Sequence, residues 1–469
     1  MHELTPNLDK EKALPLYIQL TEYIKQEIVK GNIPLNEKLP SKRKLAQYLK
    51  VSFNTVQSAY DQLCAEGFIE SMPRKGFFVC LDVEEYLLEG NSEVLAVPTP
   101  ENDSLQIKLD FSSGKVDMEN FPHSLWKKLS IKSLLHSQNE WFYNGEPQGD
   151  IPLREEIVKN LYSTRGGSCA KDQIVIGAGT QHLMALICLL VGKDKKFAFE
   201  NPGFHRTRIT VEDLGARTVP IPLDHQGIIV SDLYKSDANA VYVTPSHQFP
   251  YGMIMPISRR LELLEWADKQ NGYIIEDDYD GEFRYKGKPI PALQGLDKNH
   301  RVIYLGTFSK SLIPSLRISY AVLPSSLVKK YKQHFTIYKQ TVSRLHQDTL
   351  TRFMQEGYWN SHLNKMRTLY RKKHQTLLQS IETYFGEKVK VIGENSGLHI
   401  VLEIDCDRSE CSLVQDALTV GVKVYPVSIY YFSNEYEGNP KLLLGYGGLS
   451  EQEIEQGIKL LKEAWRLDK

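Results

Sequence analysis

VIYLGTFSKSLIPSLRISYAVL, residues 302–323, is the stretch on which the fold of most of this chain turns. Val302 to Leu305 is an apolar run of strand length, Gly306 ends it, and Thr307, Ser309 and Lys310 fall in the turn. Arg317 follows seven residues after the lysine, just before the apolar pattern resumes. Most lysines are solvated surface groups. One set at a strand end, between hydroxyls and ahead of an apolar segment, is unfavourable to desolvate unless chemistry or a partner uses it. Lysines that form Schiff bases need that desolvation, so Lys310 is the candidate nucleophile.

Further runs of the same kind lie to either side. QIVIGAG, FAFE, AVYVTP and YIIEDD, like VIYLGT, are short and apolar, and they alternate with longer helical stretches from about residue 108 onward. This is the rhythm of an α/β domain with a largely parallel sheet, whose ligand site lies at the carboxyl ends of the strands. In QIVIGAGTQ, the run Ile174–Ile176 enters Gly177-Ala178-Gly179-Thr180 and then an apolar helix, so free backbone N–H groups and a helix start converge where a phosphate can sit. In YIIEDDYDGEFRY a strand delivers Asp277 and then Tyr279 to its end. A carboxylate there suits a protonated ring nitrogen, and the phenol suits a ring hydroxyl. The acidic cluster Glu276, Asp277, Asp278 and Asp280 also admits a divalent cation, but no matching His or carboxylate cluster accompanies it, and no metal is expected.

Residues 14–79 read as a separate unit. Leu16, Leu20, Ile24 and Ile28 repeat at helical spacing and stop at Gly31. Ser41 caps a second helix with Leu45, Tyr48 and Leu49 inward, and Ser52 caps a third with Val56, Ala59, Tyr60 and Leu63 inward. FIESMPRKGFFV then reads as a hairpin. Three helices with a tight turn between the second and third, followed by a hairpin, make a winged helix-turn-helix, whose third helix enters a major groove. Lys38, Lys42, Arg43, Lys44 and Lys50 are unaccompanied by any acid between Lys38 and Tyr60, a footprint for phosphates. Operator DNA is the expected partner. Ser41, Arg43, Ser52, Asn54, Thr55 and Gln57 are the candidate contacts from the helices, with Arg74 and Lys75 at the wing tip.

At 469 residues the chain holds two or three domains, and 41% hydrophobic with 25% charged residues excludes collagen-like or wholly disordered classes. Lys+Arg at 57 against Asp+Glu at 58 leaves no global charge to mark a partner. The six cysteines form no C-x-x-C pair, which suits a reducing compartment. The start MHELTPNLDKEK has no apolar leader core, and no stretch approaches the ~18 apolar residues of a membrane span. A cytoplasmic protein without a membrane partner is expected. The expected division is a reader at 10–80, an acidic tether at 81–108 broken by Pro98 and Pro100, and a large domain at 109–469.

PLYIQL, LPSKRKLA, VSFNTV, AYDQL, EGF and RKGFFV resemble the GntR-type winged-helix DNA-binding domain. The resemblance implies a DNA contact by Arg43 and departs at Phe53, where that family usually has Arg. YNGEPQGDIPLR, GAGTQ, NPGFHR, TPSHQFPYG, EDDYDGEF and TFSKSLIPSLR resemble a fold-type I aminotransferase. The combination resembles the MocR/GabR subfamily of GntR regulators. It implies an α/β sensor with a mostly parallel sheet and a smaller C-terminal α+β subdomain, a homodimer, and pyridoxal 5'-phosphate (PLP) held as a Schiff base on Lys310. By the same resemblance Asp277 partners the pyridine nitrogen and Tyr279 the ring hydroxyl, Phe204 takes the stacking slot, and Gly179, Thr180, Ser309 and Arg317 hold the phosphate. Arg206 falls where a relative binds an effector carboxylate, and Gly448 where amino-acid-binding relatives present an Arg. The function implied is a PLP-dependent transcriptional regulator that senses PLP or a PLP-reactive amino compound. Physiological turnover is not expected, and a residual transamination half-reaction stays open. The alternative is a working aminotransferase with an accessory DNA-binding domain.

Overall fold

The computed structural model describes residues 4–6, 8–9, 14–81, 107–136, 143–285, 290–433 and 438–467. Nearly all of the tether expected at 81–108 lies outside them. The chain divides into two units, Met1–Asp103 and Ser104–Lys469.

In the first unit, Leu20, Ile24 and Ile28 of α1 (Leu16–Val29) and Val56, Ala59, Tyr60 and Leu63 of α3 (Phe53–Ala65) are fully buried against one another. Between them α2 (Lys42–Leu49) contributes Leu45 and Ala46, and it ends on Lys50 at φ 53°, which turns the chain sharply into α3. Tyr48 departs from expectation: it is 55% exposed. Residues 45, 46 and 49 share one arc of the helix, and 48 lies roughly 100° from its centre. The wing is β1 (Ile69–Met72) paired antiparallel with β2 (Gly76–Val79), with Arg74 at φ 63° in the turn. Tyr60 fastens the wing to the helices, its ring 5.1 Å from that of Phe77 and its hydroxyl donating to Pro40 O at 2.9 Å.

The second unit opens with β3 (Leu109–Asp110) and then builds an eight-stranded sheet. In chain order its strands are β4 (Ile174–Gly177), β5 (Lys196–Asn201), β6 (Arg217–Asp224), β7 (Gly227–Ile228), β8 (Ala240–Val243), β9 (Tyr273–Asp278), β10 (Val302–Thr307) and β11 (Ser319–Val322). Their spatial order is β4-β11-β10-β9-β8-β5-β6-β7. From β10 across to β6 the pairs are all parallel, while β11 runs antiparallel to both neighbours and β7 to β6. Strands of this kind are covered on both faces and therefore apolar throughout: β4, β8 and β10 are buried at every residue. The helix Thr180–Val191 covers one face with Leu183, Met184, Ile187 and Cys188, packed with Phe197, Ile275 and Ile303.

A smaller sheet at the C-terminal end has the order β12-β13-β16-β15, from β12 (Val389–Ile392), β13 (His399–Ile404), β15 (Tyr425–Pro426) and β16 (Lys441–Gly445). β14 (Val422–Lys423) pairs in parallel with β3, tying the start of the unit to its end. Among the described residues no helix is long and apolar enough to cross a membrane.

Candidate functional site

Parallel pairing brings the carboxyl ends of β5, β8, β9 and β10 to one edge of the large sheet, and the two antiparallel steps through β11 leave β4 running the same way; the candidate cofactor residues stand at that edge. Lys310 follows β10 by three residues, is partly buried, and donates to the backbone oxygen of Ser113. Burial holds its ammonium below the ordinary lysine range, with Arg206 nearby adding to the effect and Asp280 opposing it.

Asp277 lies within β9. Tyr242 of β8 donates its hydroxyl to Oδ2, while Oδ1 is buried with no hydrogen-bond partner among the described residues. Burial pushes this carboxyl up to about 7, outweighing the hydrogen bond from Tyr242. An unpartnered buried acceptor is rare in a folded protein and calls for a donor; a protonated ring nitrogen is one.

The neighbouring acids do not form a cluster. Glu276 accepts from the backbone N–H groups of Leu293 and Gln294 at 2.7 and 2.9 Å, and Asp278 takes the Arg165 guanidinium at 2.6 and 2.8 Å. Asp280 faces His247 Nδ1 at 3.0 Å. Alternation along β9 turns Asp277 to the face opposite Glu276 and Asp278, those two meet different partners, and Asp280 lies beyond the strand's end.

Two turns form the anion-binding edge. Gly179 has φ 92° and starts the helix Thr180–Val191, and an added Cβ there would stand 2.4 Å from the Arg317 guanidinium. Only glycine lets backbone and guanidinium approach so closely. Arg317, at φ 52°, donates to Ala178 O at 3.1 Å and is otherwise exposed to solvent. Thr307 Oγ1 donates to Ser309 Oγ at 3.1 Å and accepts from Ser319 Oγ at 2.8 Å, which steadies the lysine turn. Thr180 is partly exposed at the helix start. These residues fit a phosphate: a helix N-terminus, a hydroxyl-bearing turn and a guanidinium.

Aromatic residues wall the site. Phe204 packs edge-on to Phe249 at 5.4 Å, and both belong with Tyr430, Tyr279 and Leu443 to one apolar cluster. Arg206 projects from the first turn of the helix His205–Asp213 and is exposed. Gly448 packs on the segment that follows Ser113: an added Cβ there would meet the Lys115 side chain at 2.6 Å. From β16, Leu443 packs into this aromatic cluster.

Behind the wall, the Tyr279 hydroxyl lies 2.9 Å from both Nδ1 and the backbone oxygen of His247. His399 Nε2 donates to Pro250 O at 3.0 Å, its ring 4.8 Å from that of His247. Sequence reasoning did not single out Tyr242, His247, Asp280, Ser113 or Glu200 for this site. Glu200, at the end of β5, is buried with Oε1 unpartnered, and burial pushes its carboxyl up to about 7. The signal available was a tyrosine inside the aliphatic run AVYV, because a buried phenol must find a partner.

In the reader unit, Ser41 and Ser52 cap their helices, accepting from Lys44 N at 3.4 Å and Thr55 N at 3.0 Å. Thr55 also shares a 2.8 Å hydroxyl contact with Ser52. Gln57 is held within the fold: its Oε1 accepts from Lys42 at 2.8 Å and its Nε2 donates to Asp61 at 2.6 Å. Lys42 in turn lies over the Phe77 ring at 4.5 Å. Of the candidate contacts, Ser41, Arg43, Ser52, Asn54, Arg74 and Lys75 are exposed, and Phe53, which is not among the candidates, is exposed beside them.

Comparison with known proteins matches this division. The family described as "Bacterial regulatory proteins, gntR family" matches residues 16–79, and "Aminotransferase class I and II" matches residues 106–461. An uncharacterized HTH-type transcriptional regulator of Bacillus subtilis, YdeL, is 43% identical over 99% of this chain and 100% of its own. The probable rhizopine catabolism regulatory protein MocR of Rhizobium meliloti is 30% identical, over 98% and 95%. The chain belongs to the MocR-like gntR regulators. The regulator's second unit has the aminotransferase fold: Pyrococcus horikoshii kynurenine aminotransferase, solved with PMP, KYN and KYA, covers 82% of the regulator with 96% of its own chain, at TM-score 0.71 and 25% identity. A further relative, the HTH-type pyridoxine biosynthesis transcriptional regulator PdxR of Corynebacterium glutamicum, is 29% identical over 97% of each chain. The gntR DNA-binding domain and the aminotransferase class I and II domain thus stand in one regulator.

Proposed function

We propose that this regulator binds PLP on Lys310 and adjusts its hold on operator DNA in response. The observation that carries this reading is the unpartnered Oδ1 of Asp277, fully buried on the strand next to the one that leads to Lys310. Asp277 would keep a pyridine nitrogen protonated, Tyr279 would meet the ring hydroxyl, and Phe204 would wall the ring. Gly179, Thr180, Ser309 and Arg317 would hold the phosphate. When bound, PLP supplies an aldehyde that condenses with amines and a ring that withdraws electrons. Lys310, with its lowered proton affinity, supplies the free amine that condensation needs.

PLP itself is the favoured effector. Every group it needs is present, whereas capture of an α- or ω-amino acid would rest on Arg206 alone, since Leu443 and Gly448 bring no second guanidinium. PdxR, a relative named for pyridoxine biosynthesis, supports the same choice. The functioning unit is proposed to be a homodimer acting in the cytoplasm, with Ser41, Arg43, Ser52, Asn54, Thr55, Arg74 and Lys75 facing DNA.

A titration tests this. PLP added to the apo-protein is expected to raise a long-wavelength absorbance and to change affinity for an operator selected from random DNA. Common amino acids should add little, and both responses should vanish in a folded Lys310→Ala variant. A ligand shifts an equilibrium only through contacts that differ between the two states, and the lysine linkage is that contact. Unaltered DNA binding on PLP addition, with a strong shift on adding an amino acid to the PLP form, would favour amino-acid sensing. Steady turnover of amino donors would favour the aminotransferase reading.

A further inference from the structure

The Tyr279 hydroxyl is held by a second layer that the family comparison does not describe. His247 and Asp280 are each 2% exposed. Nδ1 of His247 lies 3.0 and 3.1 Å from the two Asp280 oxygens and 2.9 Å from the Tyr279 oxygen, while Nε2 is buried with no partner among the described residues. The backbone closes on the ring from the other side. Gly397 has φ 76°, and an added Cβ there would stand 1.9 Å from His247 Cε1; one at Gly252 would stand 3.0 Å from Nε2.

These contacts fix where the protons are. Burial opposes ionisation of Asp280, but the neighbouring imidazole outweighs it and holds the carboxyl below its ordinary range, so Asp280 is an acceptor. Nδ1 must then carry a hydrogen, since a hydrogen on Nε2 alone would leave a buried donor and two facing acceptors unsatisfied. With Nδ1–H directed at Asp280 and at the Tyr279 oxygen, the phenol accepts on that side. Its own hydrogen is left free to donate, to His247 O in this structure or to another acceptor in the site.

From this arrangement we infer that His247, oriented by Asp280, is a positioning residue that keeps Tyr279 a hydrogen-bond donor toward the ring oxygen of bound PLP. The inference rests on the PLP reading above. A donor at that oxygen favours its anionic form and lowers the pH at which the bound cofactor titrates. The other titratable or charged groups facing this network include His399 on β13, Lys310 after β10, Asp277 on β9, Tyr242 on β8, Glu200 on β5, Arg206, Tyr285 and Tyr446.

The experiment is a pH titration of the absorbance of PLP-loaded full-length protein. His247→Gln, which moves the amide away from the Nδ1 position, should raise the cofactor's proton affinity about tenfold, in the same direction as Tyr279→Phe. His247→Asn, whose amide nitrogen can take the Nδ1 position, should restore the wild-type midpoint. In the Tyr279→Phe background, His247→Gln should add less than twofold. Equal shifts in the Asn and Gln variants, no shift in either, or additivity with Tyr279→Phe would overturn the inference. Should the Gln variant fail to fold, nitrogen NMR of His247 in the wild-type holo-protein decides: an Nδ1-protonated ring supports the assignment and an Nε2-protonated neutral ring overturns it. Absence of any PLP absorbance in the wild type would instead overturn the cofactor reading beneath it.

Discussion

Tyr242 and Asp277, on adjacent parallel strands, are joined by one hydrogen bond to Oδ2 that leaves Oδ1 of the same buried carboxyl unpartnered. The pair holds the carboxylate in a fixed orientation while reserving one oxygen for a ligand. Burial lifts the carboxyl from an ordinary 3.8 to about 7, so the folded apo-protein binds this proton more tightly than the unfolded chain does. Its contribution to stability is complete below about pH 4 and is lost as pH rises through 7, by at most ~4 kcal/mol. Melting temperatures of the apo-protein between pH 4 and 8 should fall with pH, and Asp277→Asn should flatten part of that slope. Glu200, Glu276 and Glu282, also raised to about 7 by burial, should keep the remainder. An unchanged slope in the Asn variant would contradict the assignment.

Gly397→Ala should abolish PLP binding and hold operator affinity at the value of the apo-protein, whether or not PLP is added. The positive φ strains any L side chain by about 1 to 2 kcal/mol, and the Cβ collides with His247. Gly357→Ala is the matched control: its φ is 80° but nothing stands within 4 Å. It should show the strain alone, with PLP affinity unchanged in a fluorescence titration.

Arg43 and Lys42 are sequence neighbours with opposite expected phenotypes. Arg43 is exposed, and Arg43→Ala should weaken operator binding by roughly 1 to 3 kcal/mol if it reads a base, or reduce the salt slope by about one if it meets a phosphate. Lys42 is committed to Gln57 and the Phe77 ring. Lys42→Ala should lower thermal stability and alter the salt slope by much less than one.

Phe53 is 45% exposed at the first position of α3. Its apolar ring suits the thymine methyl group in a major groove. Replacing thymine by uracil at one position of the selected operator half-site should weaken wild-type binding by roughly 1 kcal/mol and leave Phe53→Ala unaffected. Equal effects of uracil on both proteins at every position would exclude this contact.

Much of the fold was legible because both periodicities are strong here: buried strands as continuous apolar runs, and α1 and α3 as repeats of three and four. Lys310, Asp277 and Tyr279 could be found because strand ends in a parallel sheet converge on one edge. Tyr48 was misplaced because helical spacing from Leu45 alone allows two arcs, and Ala46, small and easily overlooked, fixes which one is buried. Gln57 had the right position for DNA, but its partners Lys42 and Asp61 come together only once α2 packs on α3. His247, Asp280 and His399 meet across loops distant in the chain, and no local pattern encodes such a meeting. The acidic run 276–280 suggested one cluster because sequence proximity conceals that Asp277 faces away from Glu276 and Asp278 and that each acid meets its own partner.

The Lys310 to Ser113 contact, spanning 197 residues of chain, has a consequence for synthesis. Among the described residues the apolar core of the winged helix is drawn from Leu4 to Leu81, whereas the ligand edge needs Ser113, Lys310 and His399 in place together. Domains fold as units from the N-terminus while the ribosome is still adding residues, and long-range sheets form slowly. Under the proposed function, each nascent molecule therefore passes through an interval in which the DNA-binding unit is folded while the ligand edge is still incomplete. The length of that interval is set by translation speed and by how late β13 joins the rest.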